Sequence, residues 1–326
     1  VLNDNVTIRH FFDVDAIEPV WTDWIKDYEF AAYHPLKTDN QNYNIQENYY
    51  AGYLMAKFNA FNDVLTFIPG VRYEEEEFDA TGYYHYLQNA STITFNGIYE
   101  PRTAKRKHGF WLPMMHLKVK PLDWFDTRLA VTKTISRPNF RYRIPFVTVS
   151  FEGDSDTERG DPDIKTAESW NYDLSTSFYE SKFGLFTIAG FYKEIENFSY
   201  MLDYYVADNE DAVKYGLDPD DPAFDAKHYI VKDLSTPVNT YGTSTVKGFE
   251  LDYQANLKAL PGLLKNMTFR INYTRAFSKS WLRQYSVTLD SISYITEAPW
   301  IVEHKTYDIG FRRGRMVTQP DHILNM

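Results

Sequence analysis

Apolar and polar residues alternate with a period of two along several segments of this chain. In residues 266–277 the apolar positions are Met267, Phe269, Ile271 and Tyr273, and polar residues stand between them. Residues 246–257, 169–179 and 307–312 repeat the pattern. Because successive side chains of a β-strand point to opposite faces, this period predicts strands with one apolar and one polar face. By itself, the alternation fits a soluble sandwich and a membrane barrel equally well.

Segments of this kind predict nine strands and the start of a tenth. The nine are 47–58, 64–78, 108–120, 124–136, 166–180, 184–197, 245–258, 265–278 and 302–315. The tenth follows the turn signal at 318–320 and is cut off at Met326. Pro69 and Pro113 each remove a ladder hydrogen bond inside a predicted strand, so we expect a bulge at both positions. An odd and interrupted count leads us to expect a fragment of a larger sheet.

The predicted connections alternate strictly between short and long. Short turns are expected near 60–63, 121–123, 181–183, 259–264 and 316–320, and long loops near 13–45, 79–107, 135–165, 198–244 and 279–300. Outer-membrane barrels have short periplasmic turns and longer extracellular loops, whereas a soluble sandwich has no reason to sort its loops by length. We therefore predict an all-β, antiparallel up-and-down transmembrane β-barrel, in which 1–326 is part of a single barrel domain.

Composition supports this class. Aromatic residues make up 17% of the chain, with 26 Tyr and 23 Phe, as the aromatic girdles of a barrel require. No apolar run reaches the 18 or more residues of a spanning helix. The net charge of −11 disfavours a protein that tracks nucleic-acid phosphates, and the absence of Cys excludes disulfides and thiolate metal sites. Val1–His10 does not read as an export signal, so we expect such a signal to precede it.

Two short motifs follow a predicted hairpin. They consist of Arg137, Pro138, Asn139 and Phe140, and of Gly160, Pro162, Trp170, Asn171 and Tyr172 in GDPDIKTAESWNYDL. Both resemble the barrel portion of TonB-dependent outer-membrane receptors. Residues 184–198 (GLFTIAGFYKEIENF) and 246–272 are similar to later hairpins of the family. The resemblance covers about 47–326 in the family's order. It departs at Thr166-Ala167, where the family usually has Pro-Glu, and we expect a local change in loop closure there.

The resemblance implies more than the sequence contains. Such receptors have a barrel of roughly 22 strands closed by an N-terminal plug, and a TonB box that couples the plug to TonB-ExbB-ExbD. The plug, the box and the last strands are not visible in this sequence. The implied function is TonB-dependent uptake of a large scarce solute, an oligosaccharide or a ferric siderophore, across the outer membrane of a Gram-negative bacterium. A surface lipoprotein is a possible partner besides membrane lipid, and the Tyr and Asn content suggests Bacteroidota.

Two groups of residues are candidates for ligand binding in loops and at the lumen. The first is aromatic and could stack on sugar rings or aromatic siderophores, and consists of Tyr84, His85, Tyr86, Tyr200, Tyr204 and Trp281. The second could attract an anionic chelate, and consists of Arg106 and His108. Girdle packing, lipid phosphates or plain solvation explain the same residues. The run Glu74–Glu77 could also pair with the basic run 102–108 across the hairpin.

Metal and catalytic chemistry have little support. Asp218, Asp220 and Asp221 resemble a calcium loop in composition, but the EF-hand spacing and its terminal Glu are absent. There is no HExxH arrangement, CxxC pair or Gly-rich phosphate loop, so we predict no cofactor and no enzyme activity. Two alternatives to active uptake stay open. One is a passive porin-like channel, and the other is a barrel that serves as a structural subunit or surface platform.

Overall fold

The computed structural model describes residues 43–87, 97–149, 157–180, 184–206, 232–257, 262, 266–294, 301–316 and 319–325. These residues contain fifteen strands and one short helix. The strands are β1 (Asn44–Met55), β2 (Phe58–Ala60), β3 (Leu65–Leu87), β4 (Gly97–Leu122), β5 (Phe125–Ser136), β6 (Val147–Val149), β7 (Thr157–Arg159), β8 (Ala167–Glu180), β9 (Gly184–Glu196), β10 (Ser199–Val206), β11 (Lys232–Asn239), β12 (Ser244–Asn256), β13 (Thr268–Tyr294), β14 (Ile301–Gly314) and β15 (His322–Asn325). The helix α1 is Phe140–Arg143. In this part of the chain, no helix combines the length and apolarity needed to cross a membrane.

Eleven strands form an array of hydrogen-bonded neighbours that we call the wall. Its order is β1 with β2, then β3, β4, β5, β8, β9, β12, β13, and β14 with β15, and all its pairs are antiparallel. Because β1 continues into β2 and β14 into β15, the wall has nine positions, which confirms the predicted count. Sequence neighbours are spatial neighbours throughout, as in an up-and-down barrel. Within the described residues no ladder joins β1 to β14, so the wall is open.

Each proline inside a predicted strand ends a ladder instead of making a bulge. Met55 pairs with Gly70 and Phe58 with Phe67, so the register between the first two wall strands is unbroken across Pro69. Ala56 still donates to the Pro69 carbonyl at 3.1 Å, but Pro69 has no N–H to return, and β1 and β2 separate there. Pairing between β4 and β5 likewise begins at Met114, next to Pro113. The expected bulges were therefore wrong.

Strands extend far into two segments predicted as loops. The β3–β4 ladder continues through Leu87 and Gly97, so most of 79–107 is a two-stranded ribbon. The β13–β14 ladder continues to Tyr294 and Ile301 and replaces most of the predicted loop 279–300. Charged and polar residues dominate these ribbons, so a hydrophobicity pattern does not detect them. The segments 135–165 and 198–244 contain the short strands β6, β7, β10 and β11, and 13–43 lies almost wholly outside the described residues.

The turn predicted at 316–320 and the tenth strand after it were wrong. Ser280 pairs with Gly314, and Arg275 pairs with His322. The chain therefore stays beside the same neighbour, β13. Between these two pairs it has seven residues, 315–321, opposite four residues of β13, 276–279. Arg315 and Asp321 close this segment with an ion pair of 2.7 Å. Polar residues and Pro320 signal a turn, but the ladder partner shows a bulged strand.

One face of the wall, which we call the outer face, carries two rows of exposed large apolar side chains. The lower row lies near the short turns and consists of Phe58, Phe61, Leu122, Trp124, Phe178, Phe186, Met267 and Phe269. The upper row consists of Trp111, Trp170, Tyr172, Tyr192, Phe277, Trp281 and Phe311. Trp170 and Phe178 are eight positions apart on β8. At ~3.3 Å per residue and a tilt of ~40°, that is roughly 20 Å along a bilayer normal, close to the apolar band of a barrel.

The opposite, inner face is polar between the same strands. Arg270 forms an ion pair with Asp252 at 3.0 Å, and Asn272 donates to Glu250 and Asp252. On β8, Asn171 is buried and donates to the Thr134 hydroxyl at 3.0 Å. Charged groups at these positions need water or polar partners, and the inner face supplies such partners. The outer face therefore suits lipid and the inner face suits a hydrated lumen.

Candidate functional site

The segment between β5 and β8 folds onto the inner face of the wall. We call the described residues of this segment, 137–149 and 157–166, the inner loop. It leaves β5 at Ser136, and its strand β6 pairs with the end of β3 at Tyr84 and His85, on the β3 edge where β1 pairs lower down. To reach that edge, the chain crosses β4 and β3. It then returns through β7, and the wall resumes at Ala167.

The start of the inner loop forms α1 for local reasons. Asn139 caps this single turn, because its side-chain oxygen accepts from the Arg141 amide at 3.0 Å. Pro138 precedes it and is buried, and Tyr142 donates to the Asn139 carbonyl at 3.0 Å. The turn places Arg137 before α1 and Arg143 at its end, and both guanidinium groups point to the wall. The family motif thus shapes the entry to the inner loop.

A small apolar core lies beneath the inner loop. Its side chains are almost fully buried and consist of Phe78, Ala80 and Phe110 from the wall and Ile144, Phe146 and Ile164 from the loop. Gly82 and Gly160 have no side chain at the two closest backbone approaches. A Cβ at Gly160 would lie 2.0 Å from the Ile144 carbonyl oxygen, and one at Gly82 would lie 2.5 Å from Ile144 Cγ2. Only glycine allows the loop to sit this close.

An ion cluster fixes the loop to the wall above this core. We call it the inner-face ion cluster, and it consists of the carboxylates of Glu47, Glu74 and Glu76 and the guanidinium groups of Arg72, Arg137 and Arg143. Arg143, 3% exposed, binds Glu47 at 2.8 Å and Glu76 at 2.5 Å. Its guanidinium also lies 3.9 Å from the centre of the Phe78 ring. Three positive and three negative groups balance, as a buried cluster requires.

Arg137 makes the second connection between the loop and the wall. Its guanidinium binds Glu74, binds Glu76 at 3.1 Å and stacks over the Tyr49 ring at 4.5 Å. Arg72 reaches Glu74 at 2.6 Å from the same strand. Glu76 therefore bridges both loop arginines, with 4% of its side chain exposed. These bonds fix the direction in which the loop leaves β5.

The cluster shifts the ionisation of its neighbours. The hydrogen bond from Arg137 holds the pKa of Glu74 below its usual value. Burial and then the hydrogen bond to Glu47 raise the pKa of Tyr49 to about 12. Within the loop, Arg141 donates a bidentate pair of hydrogen bonds to the Glu158 carboxylate at 2.7 and 2.9 Å, which raises the pKa of Arg141. All of these groups lie between the upper aromatic row and the long-loop end of the wall, outside the apolar band.

Two of the predicted binding residues lie beside this site. Arg106 donates to the carbonyl oxygens of Pro162 at 3.2 Å and of Ile164, so it holds the returning limb of the loop. His108 packs edge-on against Phe110 at 4.6 Å and lines a small cavity with Glu76 and Arg143. This geometry favours a structural role for Arg106. The predicted role of both residues in ligand capture stays a prediction.

The basic run at 102–108 is divided between the two faces. Lys107 binds Glu75 at 2.8 Å and Glu77 at 2.9 Å, and Lys105 binds Asp79 at 2.5 Å, all on the outer face. The expected pairing across the hairpin is therefore confirmed for Glu75 and Glu77. Glu74 and Glu76 instead point inward to the arginines of the inner loop, because strand residues alternate between faces.

The remaining predicted binding residues are dispersed. Tyr200 lies on β10, and its hydroxyl accepts from the Arg283 amide at 2.5 Å, which connects β10 to β13. Trp281 lies in the upper row of the outer face with Arg313 over its ring at 5.7 Å, which favours the girdle alternative. Tyr84, His85 and Tyr86 belong to β3 and Tyr204 to β10, but their side chains lie outside the described part. Asp218, Asp220 and Asp221 lie outside the described residues altogether.

The residues of the motif on β8 also lie on two different faces of the wall. Trp170 and Tyr172 are half-exposed on the outer face, and Asn171 between them is buried on the inner face.

The Asn239 side chain joins two neighbouring segments. It accepts from the Lys165 amide at 2.9 Å and donates to the Asn197 carbonyl at 2.8 Å. In the described residues no cluster of three His, Cys, Asp or Glu could hold a metal ion.

Sequence reasoning missed Glu47, Tyr49, Arg72 and Arg143 as members of a site. Their partners are up to 96 positions away, as between Arg143 and Glu47, so local spacing carries no signal. The one available signal was the alternation of Glu74 and Glu76 with Glu75 and Glu77 on a predicted strand. That alternation places two carboxylates on the polar face, where they need cations from elsewhere in the chain.

Comparison with known proteins supports one family. A sequence profile described as TonB dependent receptor-like, beta-barrel matches residues 3–326. No curated protein matches the sequence. The Serratia marcescens hemophore receptor HasR, a double mutant in complex with its hemophore HasA and heme, is similar in structure with a TM-score of 0.50. The identity is 12% over 80% of this chain and 39% of that chain. This likeness shows the fold.

Two further solved structures have lower TM-scores. The siderophore receptor PirA from Pseudomonas aeruginosa has a TM-score of 0.42 and 11% identity, over 85% of this chain and 52% of that chain. A mutant ferric enterobactin receptor, PfeA from Pseudomonas aeruginosa, in complex with enterobactin has a TM-score of 0.43 and 13% identity, over 75% of this chain and 41% of that chain. The chain thus spans between 39% and 52% of the length of the three receptors.

Proposed function

Because this chain belongs to the TonB dependent receptor-like β-barrel family, we propose that its protein imports a large scarce solute across the outer membrane with energy from TonB. The solute class is an oligosaccharide or a ferric siderophore. Family membership makes the barrel a receptor barrel of the Gram-negative outer membrane. The coupling partner is TonB-ExbB-ExbD, acting through a plug domain of the complete receptor.

The inner loop is the observation that carries this proposal. The described residues 137–149 and 157–166 are held by ion pairs and a small core on the inner face of β3 and β4, near the long-loop end. A loop held in one place presents fixed groups to a solute, which suits specific capture better than unselective passage. It supports the receptor over the porin-like alternative.

Another part of the inner face supports capture of a polar solute. On β12 and β13 it carries the carboxylates of Glu250 and Asp252 beside the guanidinium of Arg270 and the amide of Asn272. Hydroxyl-rich sugars and the carboxylates or hydroxamates of siderophores both need such groups. This chemistry narrows the solute to a polar class without choosing between the two.

Uptake in cells tests the proposal. Cells that make the full-length receptor are supplied with radiolabelled oligosaccharides or with ⁵⁵Fe-siderophores, with and without a working TonB. Accumulation that requires both the receptor and TonB is the expected result, and the label that accumulates identifies the solute class. Receptor-dependent entry that persists without TonB would establish the passive channel instead. Entry of neither label with an intact TonB system would favour a structural subunit or platform.

A further inference from the structure

An apolar groove lies on the outer face across β8, β9 and β12. The side chains that line it on this face belong to Leu129, Tyr172, Leu174, Tyr192, Lys247 and Phe277. Five of these six are apolar or aromatic, and all six come from the wall. The groove is a local depression in the outer face.

Gly190 creates the groove. It lies on the outer face of β9 between Ile188 and Tyr192, and it pairs with Leu174 on one side and Phe249 on the other. All four neighbours carry large side chains. A Cβ built at Gly190 would meet nothing closer than the Gly248 oxygen at 3.9 Å, so the space above the backbone is empty. The missing side chain leaves a slot between bulky walls.

The upper end of the groove coincides with the upper aromatic row. Tyr172 and Tyr192 stand side by side there, with ring centres 6.0 Å apart, and the Tyr192 hydroxyl donates to Glu194 at 2.9 Å. Tyrosines with an apolar ring and a hydrogen-bonded hydroxyl mark the boundary between hydrocarbon and headgroups. The groove therefore runs from the headgroup region into the hydrocarbon region.

Two lysines stand at this boundary. Lys247 pairs with Phe277 at the rim of the groove, and Lys279 lies on the same face two residues further from the bilayer centre. Both are exposed, and in the described part of the chain no carboxylate lies within ion-pairing distance of either. Arg275, by contrast, has Asp321 at 3.7 Å and stacks on Phe277. Among the described residues, nothing competes with an outside anion for the ammonium groups of these two lysines.

We propose that this groove binds a phosphorylated glycolipid of the outer leaflet, with one acyl chain over Gly190 and a phosphate at Lys247 and Lys279. An acyl chain fits an apolar slot that opens to lipid, and two cations at the headgroup level match a phosphate. The two halves of the site require one amphipathic molecule, because a free phosphate would leave the groove unfilled. This site is separate from solute uptake, since it lies on the face opposite the inner loop.

Lipid A binding to the purified full-length receptor tests the inference. Native mass spectrometry in a neutral detergent counts bound lipid A during a titration, and dephosphorylated lipid A is titrated in parallel. Each basic residue near a membrane surface contributes a few-fold, so Lys247→Gln with Lys279→Gln should weaken lipid A binding about 30-fold. The same double variant should leave binding of the dephosphorylated lipid unchanged. Lys247→Arg with Lys279→Arg should retain binding.

Further variants test the contribution of the groove to lipid binding separately from that of the charges. Gly190→Phe should weaken binding of both lipids, because the side chain fills the slot that the acyl chain needs. Matched controls are Gly52→Phe, at an open outer-face position on β1, and Lys105→Gln, whose amine pairs with Asp79. Both controls should bind as the unchanged protein does. Equal binding of the two lipids by the unchanged protein, or an unaffected lysine double variant, would overturn the proposal.

Discussion

Replacing Arg143 with Met should loosen the inner loop while leaving the wall intact. Arg143 carries two ion pairs, with Glu47 and Glu76, and its guanidinium stacks over the Phe78 ring. Methionine keeps an unbranched apolar stem of similar length, so the change removes charge and hydrogen bonds more than volume. Glu47 is left without its guanidinium partner in a site where its side chain is 13% exposed.

The expected magnitude follows from what stays behind. Removing one partner of a buried ion pair costs about 3–5 kcal/mol, because the remaining charge is uncompensated. Glu76 keeps Arg137 at 3.1 Å, so the lower end of that range, about 3 kcal/mol, is appropriate. At 1.36 kcal/mol per factor of ten, local opening of the loop should become roughly 100-fold more frequent.

Amide hydrogen exchange on the full-length receptor measures this opening. The reporting amides are Gly160, Asp161 and Ile164, which donate within the loop to carbonyls at 3.0, 2.8 and 3.1 Å. Their exchange should accelerate roughly 100-fold, whereas amides of the β8–β9 ladder should be unchanged. Arg270→Met is the matched control, since its pair with Asp252 lies on the same face but the Arg270 side chain is 66% exposed, and Asp252 keeps a hydrogen bond from Asn272. A pair with such an exposed partner contributes only about 0.2–1 kcal/mol.

A second variant separates charge from packing. Adding Glu47→Gln to Arg143→Met restores two carboxylates against two guanidinium groups, so about half of the lost protection should return. The reasoning would be refuted if Arg143→Met exchanged no faster than Arg270→Met. It would also fail if the double variant exchanged as fast as the single one, because the uncompensated charge would then not be the cause.

Three further predictions concern faces, pH and space. Ile271→Arg should destabilise the barrel by about 2–4 kcal/mol in urea unfolding in lipid vesicles, whereas Asn272→Arg, beside Glu250, should be mild; equal damage would contradict the two faces. The hydrogen bond from Arg137 lowers the pKa of Glu74. The stabilisation that this bond gives to the inner loop is therefore fully present above the ordinary pKa of 4.5, and it is lost as the pH falls below that value and Glu74 becomes protonated. Pepsin should therefore cut 137–166 faster as the pH falls from 5 to 3, and Glu74→Gln should remove part of that dependence. Gly160→Ala should raise exchange in the inner loop at neutral pH, with Gly52→Ala as the silent control.

The wall could be predicted because its signal is local. Alternation in segments such as 266–277 depends on the period of the strand itself, and nine positions followed from it with their order along the chain. Antiparallel neighbours joined by short turns then leave little choice of topology. The same parity assigned the apolar face, and the two aromatic rows confirm the girdles that 49 Tyr and Phe residues suggested (26 and 23).

The alternation of apolar and polar residues does not show which strand lies next to a segment. Features that depend on the neighbouring strand were therefore not predicted. The ribbon limbs at 79–87 and 279–294 are strands because each pairs with the limb that follows it, in β4 and β14 respectively, although their own hydrophobic pattern is weak. Pro69 and Pro113 each end a ladder on one side only, while the β3–β4 ladder runs past both. The residues after Gly314 continue one strand because β13 is still beside them. Each of these outcomes depends on a neighbour that local spacing does not reveal.

The sequence alone therefore determined the strand period, the two faces and the family of this barrel. The tertiary structure decided that the inner loop lies on the wall, that Glu76 meets both Arg137 and Arg143, and that Trp281 faces outward. The physical reason is the range of the forces. Backbone alternation acts between adjacent residues, whereas a buried charge is stabilised by whichever opposite charge the fold brings near, here from 67 positions away.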